Sequence, residues 1–67
     1  MEHVYSPAEL DEATRQIASA LHKTKQVLTT FLAKENPARY KSQITLAQRR
    51  IAAFELALTL IEVQSRQ

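Results

Sequence analysis

The 67-residue chain contains no cysteine, no glycine and no tryptophan, and it has only two prolines. Without cysteine there is no disulfide framework and no thiolate metal site, and the two histidines, His3 and His22, are too few for a zinc site. The lack of glycine argues against tight hairpins and phosphate-cradling loops. No uncharged stretch reaches about 18 residues, so no transmembrane helix is predicted. These absences leave a small, soluble, helical protein.

The residues that are present fit one small domain with little room for a substrate cleft. Hydrophobic residues make up 45% of the chain and charged residues 24%, with a formal net charge of +2. This composition by itself does not indicate a function.

Residues 5–10 carry several signals of a helix start. Ser6 is suited to the N-cap position, where its hydroxyl accepts a backbone N–H, and Pro7 is suited to the first helical position. Glu9 stands three residues after Ser6 and can complete a capping box. Tyr5 and Leu10 occupy the two positions of a hydrophobic staple. The sequence therefore predicts that a helix begins at Pro7.

The apolar residues after Pro7 recur with a period near 3.6 residues, which predicts a helix rather than a strand. They are Leu10, Ile17, Leu21, Leu28, Phe31 and Leu32, with Ala13, Ala20 and Val27 beside them. Asn36 precedes Pro37, and a residue before proline is driven out of the helical region, so helix 1 should end by about Glu35. Asn36 is then expected to cap helix 2, which should run from Pro37 to about Gln64.

So short a connection between two long helices places them antiparallel. The predicted fold is all-α: a single two-helix antiparallel hairpin, coiled-coil-like, that occupies residues 1–67 with its turn near Asn36. The hairpin core is expected to contain one stripe from each helix. The predicted core residues are Leu10, Ile17, Leu21, Leu28 and Phe31 from helix 1, and Tyr40, Ile44, Ile51, Phe54, Leu58 and Ile61 from helix 2.

Helix 2 has more apolar surface than one neighbouring helix can cover. Behind its core stripe, which also includes Ala47, runs a second stripe in steps of three, four and seven residues: Leu46, Ala53, Leu56, Leu60 and Val63. At 100° per residue the second stripe lies well over a quarter-turn from the first. The pattern predicts that the protein either self-associates or docks on another chain, and periodicity alone does not separate a homodimeric four-helix bundle from a hetero-complex.

An enzymatic role is not favoured, and no catalytic, cofactor-binding or metal-binding residue is predicted. Cationic side chains could line a bundle interior as in small helical chorismate mutases, but Arg15 and Lys23 fall beside the apolar stripe of helix 1, where solvated charges are expected. His22 has no acid or thiol partner in the pattern. The cationic residues that could bind an anion in this way are Arg15, Lys23, Arg39, Arg49 and Arg50.

A nucleic-acid role rests on the basic residues near the connection: Lys34, Arg39, Lys41, Arg49 and Arg50. Rop-type plasmid regulators are dimeric four-helix bundles that use such residues to bind RNA. The net charge of +2 is a weak electrostatic footprint, and no aromatic residues are interleaved for base stacking. A membrane-surface role is not expected, because Glu55 and Glu62 give the apolar half of helix 2 the wrong charge for anionic lipid.

Two segments resemble a known family. They are the break followed by a tyrosine at residues 36–41 (NPARYK) and the Ala/Leu/Ile-rich stretch with an embedded glutamate at residues 52–61 (AAFELALTLI). Helix 1 matches in its apolar rhythm and in the leucine–lysine run between Leu21 and Leu32. Over about residues 10–63 the chain resembles the small E-type co-chaperones of bacterial type III secretion systems, the YscE/PscE-like family.

The resemblance implies a non-enzymatic protein of the bacterial cytoplasm that has no cofactor. In that family the hairpin pairs with a TPR-like G-type chaperone and stabilises it, and the pair keeps the needle subunit soluble and unpolymerised before export. The second stripe of helix 2 is assigned as the docking face from periodicity rather than from the family. Neither nucleic acid nor membrane is expected as a partner, and the free protein can be a homo-oligomer. The alternative is a homodimeric four-helix-bundle regulator that binds RNA, similar to Rop.

Overall fold

The computed structural model describes residues 4–66, which form two packed α-helices and no strand. Helix α1 spans Pro7–Leu32 and helix α2 spans Lys41–Ser65, with a short 3-10 turn at Pro37–Tyr40 between them. Val4, Tyr5 and Leu10 near the start of α1 line one depression together with Gln64 and Ser65 at the end of α2, so the helices are antiparallel. The all-α hairpin predicted from the sequence is confirmed.

The start of α1 is held by the capping box that the sequence predicts. The Glu9 amide donates to the Ser6 hydroxyl at 3.1 Å, and the Ser6 amide donates to the Glu9 carboxylate at 2.9 Å. Pro7 occupies the first turn, where its missing N–H leaves no hydrogen bond unmade. The two reciprocal bonds satisfy backbone donors that would otherwise have no intrahelical partner.

The connection between the helices differs in detail from the sequence prediction. Helix α1 ends at Leu32 rather than at about Glu35, because the Lys34 amide bonds the Phe31 carbonyl at 3.2 Å and tightens the last turn. The side-chain cap expected of Asn36 is not formed. Instead the Asn36 carbonyl accepts from the Arg39 amide at 3.1 Å, so Pro37 opens a 3-10 turn and α2 begins only at Lys41.

This tight turn brings two aromatic side chains together at the closed end of the hairpin. The rings of Phe31 and Tyr40 lie with their centroids 5.1 Å apart at an interplanar angle of 37°. Such a tilted pair lies within the distance range that favours aromatic contacts. The contact lies at the connection, where α1 ends at Leu32 and the chain turns into α2.

The interface between α1 and α2 is narrow, and the hairpin measures 49 × 20 × 16 Å. Ala47 is the one buried residue among those described, with 5% of its surface exposed. Every other interface side chain keeps an intermediate exposure because only two helices are available to cover it. Chains of this size have little stability to spare when they enclose no larger core.

The structure places all the predicted hairpin-core residues on the facing sides of the two helices, where each is half-buried. They are Leu10, Ile17, Leu21, Leu28, Phe31, Tyr40, Ile44, Ile51, Phe54, Leu58 and Ile61. Two other members of the helix 1 apolar rhythm lie outside this interface: Leu32 is 53% exposed and Val27 is 47% exposed. Within residues 4–66, neither helix has the length of apolar sequence required to cross a bilayer.

Candidate functional site

The largest group of exposed apolar side chains lies on the side of α2 that faces away from α1. Leu56 and Leu60 are about 60% exposed, and Leu46 and Val63 are 47% exposed. Ala53, between them, is exposed as well. We call these five residues, which are the docking face predicted from the sequence, the outer α2 face: Leu46, Ala53, Leu56, Leu60 and Val63.

Helical geometry explains why this face is exposed. At 100° per residue, Leu56 lies about 180° around the helix axis from the buried Ala47, and Leu60 lies about 140° from it on one side. A single antiparallel neighbour covers only the stripe around Ala47. Within residues 4–66, the outer α2 face is therefore left largely exposed.

The part of the outer α2 face beyond Ala53 is uncharged, because the nearby carboxylates lie elsewhere on the helix and have cationic partners. Glu55 reaches Lys25 of α1 at 3.6 Å, and Glu62 pairs with Arg66 on its own helix. The hydroxyl of Thr59 donates to the Glu55 carbonyl at 3.1 Å. The polar groups of this half of α2 are thus satisfied within the hairpin.

The equivalent surface of α1 is polar from Glu12 to Gln26. We call the five residues on this side, spaced by three and four, the outer α1 face: Glu12, Arg15, Ser19, His22 and Gln26. All of them are exposed. Hydrogen bonds from Arg15 and, to a smaller extent, from Gln16 hold the pKa of Glu12 below its usual value of 4.5. Local side-chain pairing and solvent satisfy this face without a partner.

One side of the hairpin carries a groove between the two helices, which we call the side groove. Its volume is about 230 Å³, and its lining combines an apolar floor with cationic and polar edges. The lining residues are Lys23, Thr24 and Val27 from α1, and Gln43, Leu46, Ala47 and Arg50 from α2. Leu46 belongs both to this groove and to the outer α2 face, so the two surfaces are continuous.

The sequence alone did not predict that the residues of the side groove lie close together. The signal is visible in hindsight: Lys23 and Val27 are one turn apart on α1, and Leu46 and Arg50 are one turn apart on α2. Each pair joins a cation to an apolar residue. Their meeting depends on the register between the helices, which single-helix periodicity does not provide.

The other chemical candidates do not converge on one site. Among residues 4–66 there is no group of three or more histidine, cysteine or acidic side chains placed to hold a metal ion. Of the five cations considered for anion binding, Lys23 and Arg50 share the side groove, while Arg15 pairs with Glu12 and Arg39 lies at the connection. Arg49 lies near Lys41 on a different side of Leu46. His22 is exposed beside Lys25 and Gln26.

The fold and its surfaces define a class of protein: a helical hairpin with one polar outer face and one exposed apolar outer face. Comparisons of the chain with protein-family models, with curated proteins and with solved structures give no match.

Proposed function

We propose that this protein is a non-enzymatic co-chaperone of a type III secretion system. In this proposal it pairs with a TPR-like chaperone, and the pair keeps the needle subunit soluble and unpolymerised before export. The observation that carries the proposal is the exposure of the outer α2 face in a hairpin that has only one buried residue among those described. The family resemblance of residues 10–63 supports the choice of partner.

Covering the outer α2 face would release a useful amount of free energy. Complete burial of one leucine or valine side chain contributes about 1.5–3 kcal/mol, so covering the exposed half of each contributes about 1 kcal/mol. The four large side chains, Leu46, Leu56, Leu60 and Val63, together supply a few kcal/mol before the cost of association. A partner that covers this face therefore stabilises a hairpin that has little stability of its own.

The shape of the face suits a helical partner. From Leu46 to Val63 it extends about 25 Å along one side of a regular helix, which is the geometry of helix-to-helix packing. TPR proteins are stacks of helix pairs, and the ends of such a stack need a cover to remain soluble. A two-helix hairpin with an apolar outer face meets that need.

The first test is co-expression with the TPR-like chaperone and the needle subunit of the same organism, followed by size exclusion with light scattering. The proposal predicts a complex that contains one copy of each protein. If the chain instead elutes alone as a stable homodimer, the co-chaperone proposal fails. Affinity for RNA that falls steeply with salt would then favour the Rop-like alternative, which the basic residues near the connection would explain.

Charge substitutions locate the docking face in the same assay. Leu56→Glu or Leu60→Glu should abolish the complex while the helical circular-dichroism signal is kept, because both side chains are already about 60% exposed in the hairpin. The matched control is Gln26→Glu on the outer α1 face, which should leave the complex intact. Binding that survives Leu56→Glu would exclude this face, and unfolding by Leu56→Glu would show that Leu56 belongs to the hairpin interface.

A further inference from the structure

The side groove is large enough to accept one side chain from another protein. A cavity of about 150 Å³ holds a benzene ring, and the side groove measures about 230 Å³. Its floor is the small, buried Ala47, with the half-exposed Val27 and Leu46 on either side. The hydroxyl of Thr24 donates to the Ala20 carbonyl of its own helix, so its hydrogen does not need an acceptor on a bound side chain. The floor therefore favours an apolar side chain.

The edges of the side groove are positively charged and unneutralised. Lys23 and Arg50 stand on opposite helices, and neither forms an ion pair with any residue in the described range 4–66. Among the residues that the structure describes, no carboxylate lines the groove. Lys25, on the other side of α1, differs from these two cations because it forms an ion pair with Glu55.

The positive charge around Leu46 is part of an uneven distribution of charged residues along the hairpin. Between Lys23 and Arg50 the sequence has seven lysines and arginines and one carboxylate, Glu35. Arg49 is three residues after Leu46 and four residues before Ala53, so it lies on the same side of α2. The outer α2 face therefore begins with a cation and is uncharged beyond it. The docking surface thus has a basic half near the connection and a neutral apolar half near the end of α2.

We propose that the partner segment that covers the outer α2 face carries a large apolar side chain that enters the side groove, flanked by carboxylates that pair with Lys23 and Arg50. This inference rests on the proposed function and specifies the chemistry of its partner: an amphipathic helix that is acidic at one end and apolar along the rest. The charge also sets its direction, because the acidic end must lie over Leu46 and not over Val63.

A protein carboxylate fits these observations better than a nucleic-acid phosphate. Neither the groove lining nor the outer α2 face contains an aromatic side chain on which a base could stack. Beyond Arg49, the surface continuous with the groove is uncharged and apolar, and such a surface has no role in binding a phosphate backbone. Apolar contacts with a charged rim are the usual composition of a protein interface.

The test uses three synthetic helical peptides with the same leucine stripe, in which the residues that flank one terminal leucine are glutamate, glutamine or lysine. Binding to the full 67-residue chain is measured by fluorescence anisotropy at low and high salt. Each exposed ion pair contributes a factor of about three, so the glutamate peptide should bind about tenfold more tightly than the glutamine peptide at low salt. The difference should shrink at about 1 M salt, where the screening length falls to about 3 Å.

A charge swap makes the assignment specific to these two residues. The double variant Lys23→Glu with Arg50→Glu should reverse the preference, so that the lysine peptide binds more tightly than the glutamate peptide. Arg39→Glu, at the connection, is the control for the location of the charge: it should keep the preference for glutamate. Circular dichroism of every variant verifies that the hairpin is folded.

The outcomes separate this inference from the proposed function. Equal binding of all three peptides, lost on Leu56→Glu, would overturn the carboxylate pairing and leave the apolar docking face in place. Failure of all three peptides to bind would overturn this inference alone, because the proposed function is decided by the co-expression test. Tighter binding of an RNA hairpin than of the glutamate peptide, lost in the double variant, would overturn the inference in favour of a nucleic-acid site.

Discussion

The two helices of this hairpin have similar lengths but opposite surface chemistry. Helix α1 packs one apolar stripe against α2 and gives solvent a polar face, from Glu12 to Gln26. Helix α2 packs an equivalent stripe against α1, yet its outer face carries leucine and valine side chains that are about half exposed or more. The difference is that α1 exposes a polar side to solvent, whereas α2 exposes a second apolar side, which the proposed docking would cover.

The two sides of α2 provide the largest expected difference in stability. Phe54 is half-buried against α1, so Phe54→Ala should cost about 2 kcal/mol, below the range for a fully buried phenylalanine. That loss is about half of the stability expected for so small a fold, so the urea midpoint should fall. Leu56→Ala on the outer α2 face should change the free energy of unfolding by less than about 0.5 kcal/mol. Urea titration followed by circular dichroism measures both, and equal losses would remove the distinction between the two sides.

The starts of the two helices provide the next difference. Ser6→Ala removes a side-chain cap bond from α1 and should destabilise the hairpin by about 1 kcal/mol. Asn36 precedes α2, but its side chain forms no cap bond. Asn36→Ala should therefore change the free energy of unfolding by no more than a few tenths of a kcal/mol. Thermal or urea unfolding of the two variants under identical conditions checks the ranking. An equal cost at Asn36 would mean that its side chain caps α2 in solution.

The ion pair across the helices should contribute less. Lys25 and Glu55 lie 3.6 Å apart with both side chains more than half exposed, so their coupling should be about 0.5 kcal/mol or lower. A double-mutant cycle with Lys25→Met and Glu55→Gln measures it. The coupling should vanish at about 1 M salt, and a coupling that persists there would indicate that the pair is desolvated.

The smallest effect concerns Glu12 on the outer α1 face. Because hydrogen bonds from Arg15 and then Gln16 lower its pKa in the folded chain, this carboxylate favours folding above its usual value of 4.5, and the contribution is lost as the pH falls through the lowered pKa. Arg15→Gln should raise the pKa of Glu12 toward the usual value in an NMR titration. Arg66→Gln, which removes a similar pairing on α2, should not move it.

Local signals in the sequence were enough to predict the hairpin and the start of α1. The capping box depends on Ser6, Pro7 and Glu9, which are close in the chain, and the apolar periodicity depends on each helix alone. The Asn36 cap is not formed, and the turn instead includes a contact between Phe31 and Tyr40 that a local motif does not contain. The side groove depends on inter-helix register, so it too required the structure.

The most direct test of the central claim compares the two outer faces in the presence of the partner. The chain has no cysteine, so Ala53→Cys on the outer α2 face and Ser19→Cys on the outer α1 face each introduce a single exposed thiol. Thiol labelling is followed with and without the TPR-like chaperone. The account predicts that the chaperone slows labelling at residue 53 at least tenfold and leaves residue 19 unchanged, with about tenfold protection corresponding to 90% occupancy. Unchanged labelling at residue 53, or equal protection at both residues, would contradict it.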